Sequence, residues 1–327
     1  MKIAFAGIRH NHILGLYNES KAHPDLTVVG AWEENAEAAE AAKATITEPF
    51  YDSYEELLAD PEIDIVAIGD YYGIRGKRVI QALNAGKAVI TDKPLCTSPE
   101  ELAEIERLSR EKQLPVGVQL ELRDDAVLQA AAAIIGDNQI GEICAVHFTA
   151  QHPLCYGVRP AWYFEEGKHG GTLNDIAIHG MDALTWVAGS AYDRTLFARQ
   201  WNNCATEEPQ FNDCAQFNGL LENGAAVSGD VSYVACGAAY LLPSYWRFTF
   251  WGTKGYLECR AGGDTLTVAT PEDNAPRTVP VEPIKERRTF ENFLDEVRAG
   301  KPAKNTEGCI AASRATLLLQ RFADEQL

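Results

Sequence analysis

The rest of the chain is organised around residues 167 to 189, which read GKHGGTLNDIAIHGMDALTWVAG. The beginning of this stretch is rich in glycine and predicts a loop. Ile176, Leu184 and Val187 then recur at the spacing of a helix, and Gly189 is typical of a residue that caps a helix end. We therefore predict a glycine-rich loop that leads into a central helix.

Three polar residues of this predicted helix share one face, because Asp175, His179 and Asp182 are spaced by one and two turns. A carboxylate one turn away from an imidazole can fix its tautomer and tune its basicity, which suits an acid–base catalyst. The same pattern is equally typical of a solvated polar face. The two interpretations stay open at this point.

Ahead of this stretch, short apolar runs alternate with helical patterns. Runs near residues 2–7, 26–32, 63–68, 88–91 and 115–120 predict buried strands with helices between them. Strands that alternate with helices predict βαβ units, so the first part of the chain is expected to be α/β with a doubly wound parallel sheet.

The pattern changes at about residue 122. An antiparallel or mixed sheet is predicted by extended segments that turns such as Asn223-Gly224 separate, and two helical segments close the chain. The extended segments lie near residues 143–150, 194–202, 212–221, 225–235, 245–251, 255–260 and 264–269. We therefore predict two domains. Residues 1–122 form the α/β domain, and residues 123–327 form an α+β domain.

Composition argues against several classes of protein. The chain has 327 residues and a formal net charge of −18, which argues against a nucleic-acid or an anionic-membrane partner. No apolar run approaches the about 20 residues that span a bilayer, and the N-terminus suits a buried strand better than a signal peptide. A cytoplasmic location is expected. The eight cysteines form no Cys-x-x-Cys pair, and no metal site is expected.

Ligands of parallel α/β sheets bind beyond the carboxyl ends of the strands. Glu33 follows the second strand and can accept hydrogen bonds from an adenosine ribose, whereas Glu34 would repel a 2′-phosphate. NAD is therefore favoured over NADP as the dinucleotide, although an ordinary acidic loop is the alternative. The residues predicted to contact the cofactor at this edge are Gly7, Ile8, Arg9, His10, Asn11, Glu33, Asp70, Tyr71, Asp92, Lys93 and Gln119.

The turn after the first strand departs from the dinucleotide-binding pattern G-x-G-x-x-G. Gly7 matches the first glycine, but Arg9 and His12 stand at the other two positions. Arg9 could bind a phosphate through its guanidinium group, or it could block close approach of the backbone. For His10 and His12, a role in capping and packing is favoured over a role in catalysis.

Three features of the chain occur together. The predicted sheet ends in Asp92-Lys93-Pro94, the second domain opens with Ile140-Gly141-Glu142-Ile143, and residues 170–182 read GGTLNDIAIHGMD. Together they resemble the Gfo/Idh/MocA family of NAD(P)-dependent oxidoreductases over the whole chain. The Glu-Lys-Pro motif of that family is Asp-Lys-Pro here, and its Ala-Thr-Pro-Asn-type turn and following histidine are replaced by residues 69–72 and Arg75.

The resemblance implies a Rossmann domain, a second domain with a large open sheet, and a homodimer or homotetramer. It implies that His179 takes the hydroxyl proton of a sugar, sugar derivative or cyclitol, while the hydride passes to NAD. Lys93 would polarise that hydroxyl, and Asp175 would orient the substrate and assist proton transfer. Further contacts to this carbohydrate or polyol substrate are predicted for Arg123, His152, Trp162 and Tyr163.

Two other functions stay open. An enzyme with the same residues could use NAD transiently, so that oxidation of one sugar carbon permits elimination or glycoside cleavage before the ketone is reduced again. A non-catalytic sensor that binds a nucleotide or a sugar is favoured by the altered turn at Arg9 and His12. Lys93 and His179 argue against a sensor, because binding alone needs no acid–base pair.

Overall fold

The computed structural model describes residues 1–236, 245–284 and 286–326. The chain divides into two compact units, each built from several segments. Unit 1 comprises Met1–Gln119, Pro160–Gly170 and Phe290–Ile310. Unit 2 comprises Leu120–Arg159, Gly171–Thr289 and Ala311–Leu327. The first boundary lies close to the predicted residue 122, whereas the two later segments of unit 1 fall outside the predicted first domain.

Unit 1 contains a five-stranded sheet in the order β2-β1-β3-β4-β5, in which all neighbouring strands are parallel. Most residues of these strands are buried, as expected of a parallel sheet with helices on both faces. The parallel α/β sheet predicted from the apolar runs is confirmed. The strands are β1 (Lys2–Ala6), β2 (Thr27–Trp32), β3 (Ile65–Ile68), β4 (Ala88–Thr91) and β5 (Val116–Val118).

The helices of the N-terminal segment are α1 (His12–Ala22), α2 (Ala36–Ala42), α3 (Tyr54–Ala59), α4 (Tyr72–Asn84) and α5 (Pro99–Lys112). Three of these five helices, α2, α3 and α5, begin at a residue whose side chain caps the helix. The Ser98 hydroxyl accepts hydrogen bonds from the N–H groups of Glu100 and Glu101 at 3.2 and 3.3 Å, and Pro99 occupies the first turn.

Unit 2 contains an eight-stranded sheet in the order β13-β12-β11-β10-β6-β9-β8-β7. Strands β6 and β9 are parallel, and the other neighbouring pairs are antiparallel, so the predicted large mixed sheet is confirmed. The strands are β6 (Ile143–Gln151), β7 (Tyr192–Trp201), β8 (Cys214–Leu221), β9 (Ala226–Ser232), β10 (Trp246–Gly252), β11 (Gly255–Arg260), β12 (Thr265–Ala269) and β13 (Arg277–Pro280).

The predicted central helix is α7 (Thr172–Ala188), and it packs against β6 and β9 of this sheet. It ends at Gly189, which adopts a left-handed conformation with φ of 66°, as predicted. The other helices of the chain are α6 (Ala126–Gly136), α8 (Thr289–Ala299) and α9 (Lys304–Asp324). None of the helices in the described ranges has the length and apolar character of a transmembrane span.

Candidate active site

The turn between β1 and α1 lies against the end of β3 in unit 1. Gly7 has a φ of +71°, and a Cβ atom placed on it would lie 2.5 Å from the Cβ of Asp70. Its N–H donates to the carbonyl oxygen of Trp32 at 2.9 Å. Only glycine fits this close approach without rearrangement, so the first position of the dinucleotide pattern keeps its structural role.

Glu33 is fixed by main-chain donors. Its carboxylate accepts hydrogen bonds from the N–H of Ile8 at 2.5 Å and the N–H of Asn35 at 2.8 Å. Burial raises the pKa of the Glu33 carboxyl, while these two hydrogen bonds work in the opposite direction. Glu33 therefore shapes the turn after β1, and its contact with a ribose stays a prediction.

Arg9, at the second glycine position of the pattern, folds back onto two acidic residues. Its Nε lies 3.2 Å from Glu33 Oε1 and 2.9 Å from Asp70 Oδ1, and its guanidinium carbon lies 4.6 Å from the centre of the Tyr71 ring. Burial raises the pKa of Asp70, and the nearby Arg9 opposes that change. The turn thus presents a guanidinium group where the dinucleotide pattern has bare backbone.

The sheet edge of unit 1 has polar atoms that suit a dinucleotide. Thr91 Oγ1 and Gln119 Oε1 are buried and have no hydrogen-bond partner among the residues that the structure describes. Asn11, the N-cap of α1, makes no side-chain hydrogen bond to the first turn of that helix. Buried groups of this kind are normally satisfied, so a ligand that bonds to them fits this edge. That Glu33, Arg9 and the start of α1 would hold the cofactor stays a prediction.

Arg75, which stands where the resemblance leads one to expect histidine, is a structural residue. It is fully buried, and Nη1 donates to the carbonyl oxygens of Asp92 and Pro94 at 2.8 Å each. Its Nη2 donates to the carbonyl oxygen of Asp70 at 2.7 Å. Arg75 therefore ties the segment after β3 to the segment that carries Lys93.

His10 joins a buried polar network rather than capping α1. Its Nδ1 is hydrogen-bonded to Asp92 Oδ2, and its Nε2 lies 3.0 Å from the hydroxyl of Tyr163 and 3.1 Å from that of Tyr72. Burial lowers the pKa of His10 to about 4. Burial opposes ionisation of Asp92, but His10 and the exposed His12 hold the pKa of that carboxyl well below its usual range. His10 is therefore neutral and Asp92 is ionised at neutral pH.

Two predicted substrate contacts, Trp162 and Tyr163, are buried within unit 1. Trp162 Nε1 donates to the carbonyl oxygen of Arg9 at 3.3 Å, and the hydroxyls of Tyr163 and Tyr72 are 2.7 Å apart. Both residues are therefore placed as core aromatic residues commonly are. Their contact with a substrate stays a prediction.

Gly171, the residue just before α7, leaves room for the side chain of Gln320 of α9 within unit 2. Gly171 has a φ of +95°, and a Cβ atom on it would lie 2.0 Å from Gln320 Cδ. Gln320 Oε1 accepts a hydrogen bond from the N–H of Leu173 at 3.1 Å. Gln320 thus satisfies one of the free N–H groups that begin a helix, and Gly171 leaves room for it.

The polar face of α7 is mostly withdrawn from solvent. Asp175 and Asp182 are 1% and 3% exposed, and His179 is of intermediate burial. The hydroxyl of Tyr233 donates a hydrogen bond to Asp175 Oδ2. The ring of His179 meets Trp246 edge to face, with 5.7 Å between the ring centres. A solvated helix face is therefore the wrong interpretation of this pattern.

His152, another predicted substrate contact, lies near this face of α7. Its ring centre is 5.8 Å from that of Tyr233, the hydrogen-bond donor to Asp175. Arg159 places Nη2 3.0 Å from His152 Nδ1 and its guanidinium carbon 5.3 Å from the centre of the Tyr233 ring. Tyr233 thus connects His152 and Arg159 to the carboxylate of Asp175 within unit 2.

Arg123, the fourth predicted substrate contact, is paired with Asp182. Its Nε and Nη2 bind the two carboxylate oxygens at 2.9 and 2.7 Å. Burial raises the pKa of Asp182, while the charge and hydrogen bonds of Arg123 lower it. This bidentate ion pair indicates a structural role for Arg123. Asp182 is bound in the pair and is therefore not grouped with Asp175 and His179, the candidate acid–base residues of α7.

Comparison with known proteins agrees with these two units. Residues 1–120 match the model of the Gfo/Idh/MocA oxidoreductase family with an NAD-binding Rossmann fold, and residues 128–258 match the model of the Gfo/Idh/MocA C-terminal domain. The chain belongs to the Gfo/Idh/MocA family. Its first unit is accordingly a Rossmann fold of the NAD-binding type.

Individual relatives of this Gfo/Idh/MocA protein have low sequence identity to it or match only part of the chain. An uncharacterised oxidoreductase of Synechocystis sp. is 31% identical over 158 residues, which are 48% of this chain and 43% of that protein. Levoglucosan dehydrogenase of Pseudarthrobacter phenanthrenivorans is 26% identical over 270 residues, 75% of this chain and 68% of that protein. The first curated relatives are matched over less than half of their own length.

Solved structures share the fold over almost the whole chain. A levoglucosan dehydrogenase in complex with NADH and levoglucosan has a TM-score of 0.79 and 21% sequence identity. The match covers 99% of this chain and 96% of that one. At this identity, the likeness shows that the Gfo/Idh/MocA fold is shared.

Sequence reasoning missed Tyr233 and Tyr72. Tyr233 follows β9, whose parallel pairing with β6 brings it near His152. Both strands were predicted, but nothing in their sequences indicates that they pair. Tyr72 sits in the first turn of α4, among aromatic residues that read as ordinary core.

Proposed function

We propose that this Gfo/Idh/MocA protein is an NAD-dependent dehydrogenase that oxidises a hydroxyl group of a sugar, sugar derivative or cyclitol. The observation that carries the proposal is the buried, hydrogen-bonded carboxylate of Asp175 one turn from His179, in a chain whose first unit is an NAD-binding Rossmann fold. The match to levoglucosan dehydrogenase supports a carbohydrate substrate.

The proposed roles follow from the chemistry of each side chain. His179 accepts the proton of the substrate hydroxyl, and Lys93 donates a hydrogen bond to that oxygen and stabilises its developing negative charge. Asp175, held by the Tyr233 hydroxyl, orients the substrate and assists proton transfer. The nicotinamide of NAD supplies the hydride acceptor when it is bound.

The substrate test is a spectrophotometric screen for NADH formation with sugars, anhydrosugars and cyclitols, followed by the Lys93→Ala variant. The variant is expected to lose about 10²–10³-fold in turnover, which is typical when one charge-stabilising donor is removed. The control is Lys301→Ala, because Lys301 is an exposed lysine of unit 1. Near-normal turnover of Lys93→Ala, with the control unchanged, would remove the proposed role of Lys93.

The same screen separates dehydrogenation from transient oxidation. A lyase or glycosidase that reduces its ketone intermediate again would form product without net accumulation of NADH. Product analysis by mass spectrometry at a low NAD concentration therefore decides between the two reactions. Accumulation of NADH in proportion to product supports the dehydrogenase.

We expect the protein to prefer NAD to NADP, because Glu33 and Glu34 follow β2 and Glu34 is 60% exposed. At about 100 times its dissociation constant, a ligand of the folded state adds about 2.7 kcal/mol to the free energy of unfolding. NAD and NADH should therefore raise the melting temperature by several degrees, and NADP by much less. Glu34→Gln should narrow that difference, because Arg78, 2.8 Å from Glu34, is released to meet a 2′-phosphate.

Two other results of this melting experiment carry information. Equal shifts with NAD and NADP in the wild-type protein would contradict the role of the two glutamates. No shift with any nucleotide would contradict the dehydrogenase and favour the sensor, in which Arg9 stays engaged with Glu33 and Asp70.

The proposal includes a homodimer or homotetramer. The eight-stranded sheet presents large apolar side chains to solvent, and Trp251 of β10 is 50% exposed next to Tyr256 of β11. A second copy of the chain that covers this face would remove that apolar surface from water.

A further inference from the structure

One cluster of unit 1 has no acid–base role in the proposed reaction, although two of its residues, His10 and Asp92, are predicted cofactor contacts. His10 and His12, in the turn between β1 and α1, meet Asp92, which directly follows β4. Each residue offers one ligand atom, and these atoms all lie within 4.8 Å of one another. Two imidazoles and a carboxylate are the donors that divalent transition metals such as zinc and iron bind in proteins.

The three donor groups lie close to one another. His10 Nδ1 is in contact with Asp92 Oδ2, and His12 Nδ1 lies 3.6 Å from Asp92 Oδ1. The centres of the two imidazole rings are 4.5 Å apart. The His12 side chain is 54% exposed, so a small rotation can bring its nitrogen to metal-binding distance without disturbing the core.

The two buried ligands are held in orientation by further contacts. His10 Nε2 lies 3.0 Å from the hydroxyl of Tyr163 and 3.1 Å from the hydroxyl of Tyr72. The N–H of Lys93 donates to Asp92 Oδ1 at 2.7 Å. Histidines that bind metals typically use their second ring nitrogen in this way, which fixes the tautomer and the ring plane.

We propose that His10, His12 and Asp92 form a binding site for a divalent transition-metal ion of the Zn²⁺ type. Without metal, the Nδ1–H of His10 donates to Asp92. With metal, Nδ1 binds the ion and the ring proton moves to Nε2, where the tyrosine hydroxyl oxygens accept it. Three protein ligands leave coordination positions on the exposed His12 side for water or a ligand oxygen.

No metal site was expected from the sequence, because His10 and His12 alone do not make a site and Asp92 lies 82 residues beyond His10. The proposed dehydrogenase activity uses none of these three residues as an acid, a base or a hydride acceptor, but His10 and Asp92 are also predicted to contact the cofactor. Metal binding is therefore measured directly, and its outcome does not depend on turnover.

The experiment titrates Zn²⁺ by calorimetry into full-length protein that carries no histidine tag and has been stripped with EDTA. One ion per chain is expected. His12→Ala, which changes an exposed residue, and Asp92→Asn, which removes the charge, should each weaken binding by at least about 100-fold, since even outer contacts of metal sites contribute 10–100-fold. The control is His147→Ala, because His147 is an exposed histidine of β6 and should leave binding unchanged.

Substitution with Co²⁺ gives a second, spectroscopic measurement. Visible absorption bands of bound Co²⁺ are expected in the wild-type protein and in His147→Ala, and they should disappear in His12→Ala. Absence of stoichiometric binding to the wild-type protein, or equal binding to His12→Ala, would overturn the proposal. The cluster would then be only the hydrogen-bonded pair of His10 and Asp92 with a neighbouring histidine.

Discussion

Replacing His179 by alanine is expected to lower kcat by about 10²–10⁴-fold, the usual contribution of a positioned acid–base group. The physical reason is that the substrate hydroxyl must lose its proton as the hydride leaves, and a hydroxyl is too weak an acid to do so without a base. The measurement is initial NADH formation with the best substrate from the screen, at saturating NAD. Because the proposed proton transfer to His179 takes place in the transition state and not on substrate binding, the loss should fall mainly on kcat.

Chemical rescue separates this catalytic role from a structural one. Added imidazole should restore part of the activity of His179→Ala, because a free base can occupy the space of the missing ring. His147→Ala, with its exposed histidine on β6, should keep full activity and show no response to imidazole. A His179→Ala protein with unchanged melting temperature and kcat within about threefold of wild type would contradict the proposed mechanism, since acid–base catalysis contributes far more than that.

The elements of the fold were largely predictable because each depends on local sequence. Strands β1 and β4 are short apolar runs that need burial on both faces, and α5 carries its own cap at Ser98 and Pro99. Strand β13 was not predicted. Its four residues, RTVP, are mostly exposed at the edge of the sheet and show no alternation of apolar and polar side chains.

The candidate site was predictable only where its residues are close in sequence. Asp175 and His179 were found together because they lie one turn apart on α7. The hydrogen bond of Tyr233 to Asp175 and that of His10 to Asp92 join residues 58 and 82 positions apart. Such contacts depend on which strands become neighbours, and pairing is decided by the whole sheet rather than by either segment alone.

The ion pair of Arg123 and Asp182 also joins residues far apart in the sequence, 59 positions, and its loss should lower the stability of the fold. Replacing Arg123 by alanine is expected to lower the free energy of unfolding by about 3–5 kcal/mol, because it leaves a buried carboxylate without its partner. Chemical denaturation at neutral pH measures the change. Arg107→Ala is the control, since its ion pairs with Glu104 and Glu111 lie on the surface and should contribute little.

The dependence of this loss on pH identifies its cause. Burial raises the pKa of Asp182, and Arg123 opposes that effect, so removal of Arg123 should raise the pKa further. A carboxyl whose pKa is raised in the folded state favours folding at low pH and opposes it once the pH rises through that pKa. Arg123→Ala should therefore recover stability relative to wild type on acidification from pH 7 towards about pH 4, the ordinary pKa of an aspartate. A loss that is the same at both pH values would show that packing of the arginine stem, rather than the unpaired charge, causes it.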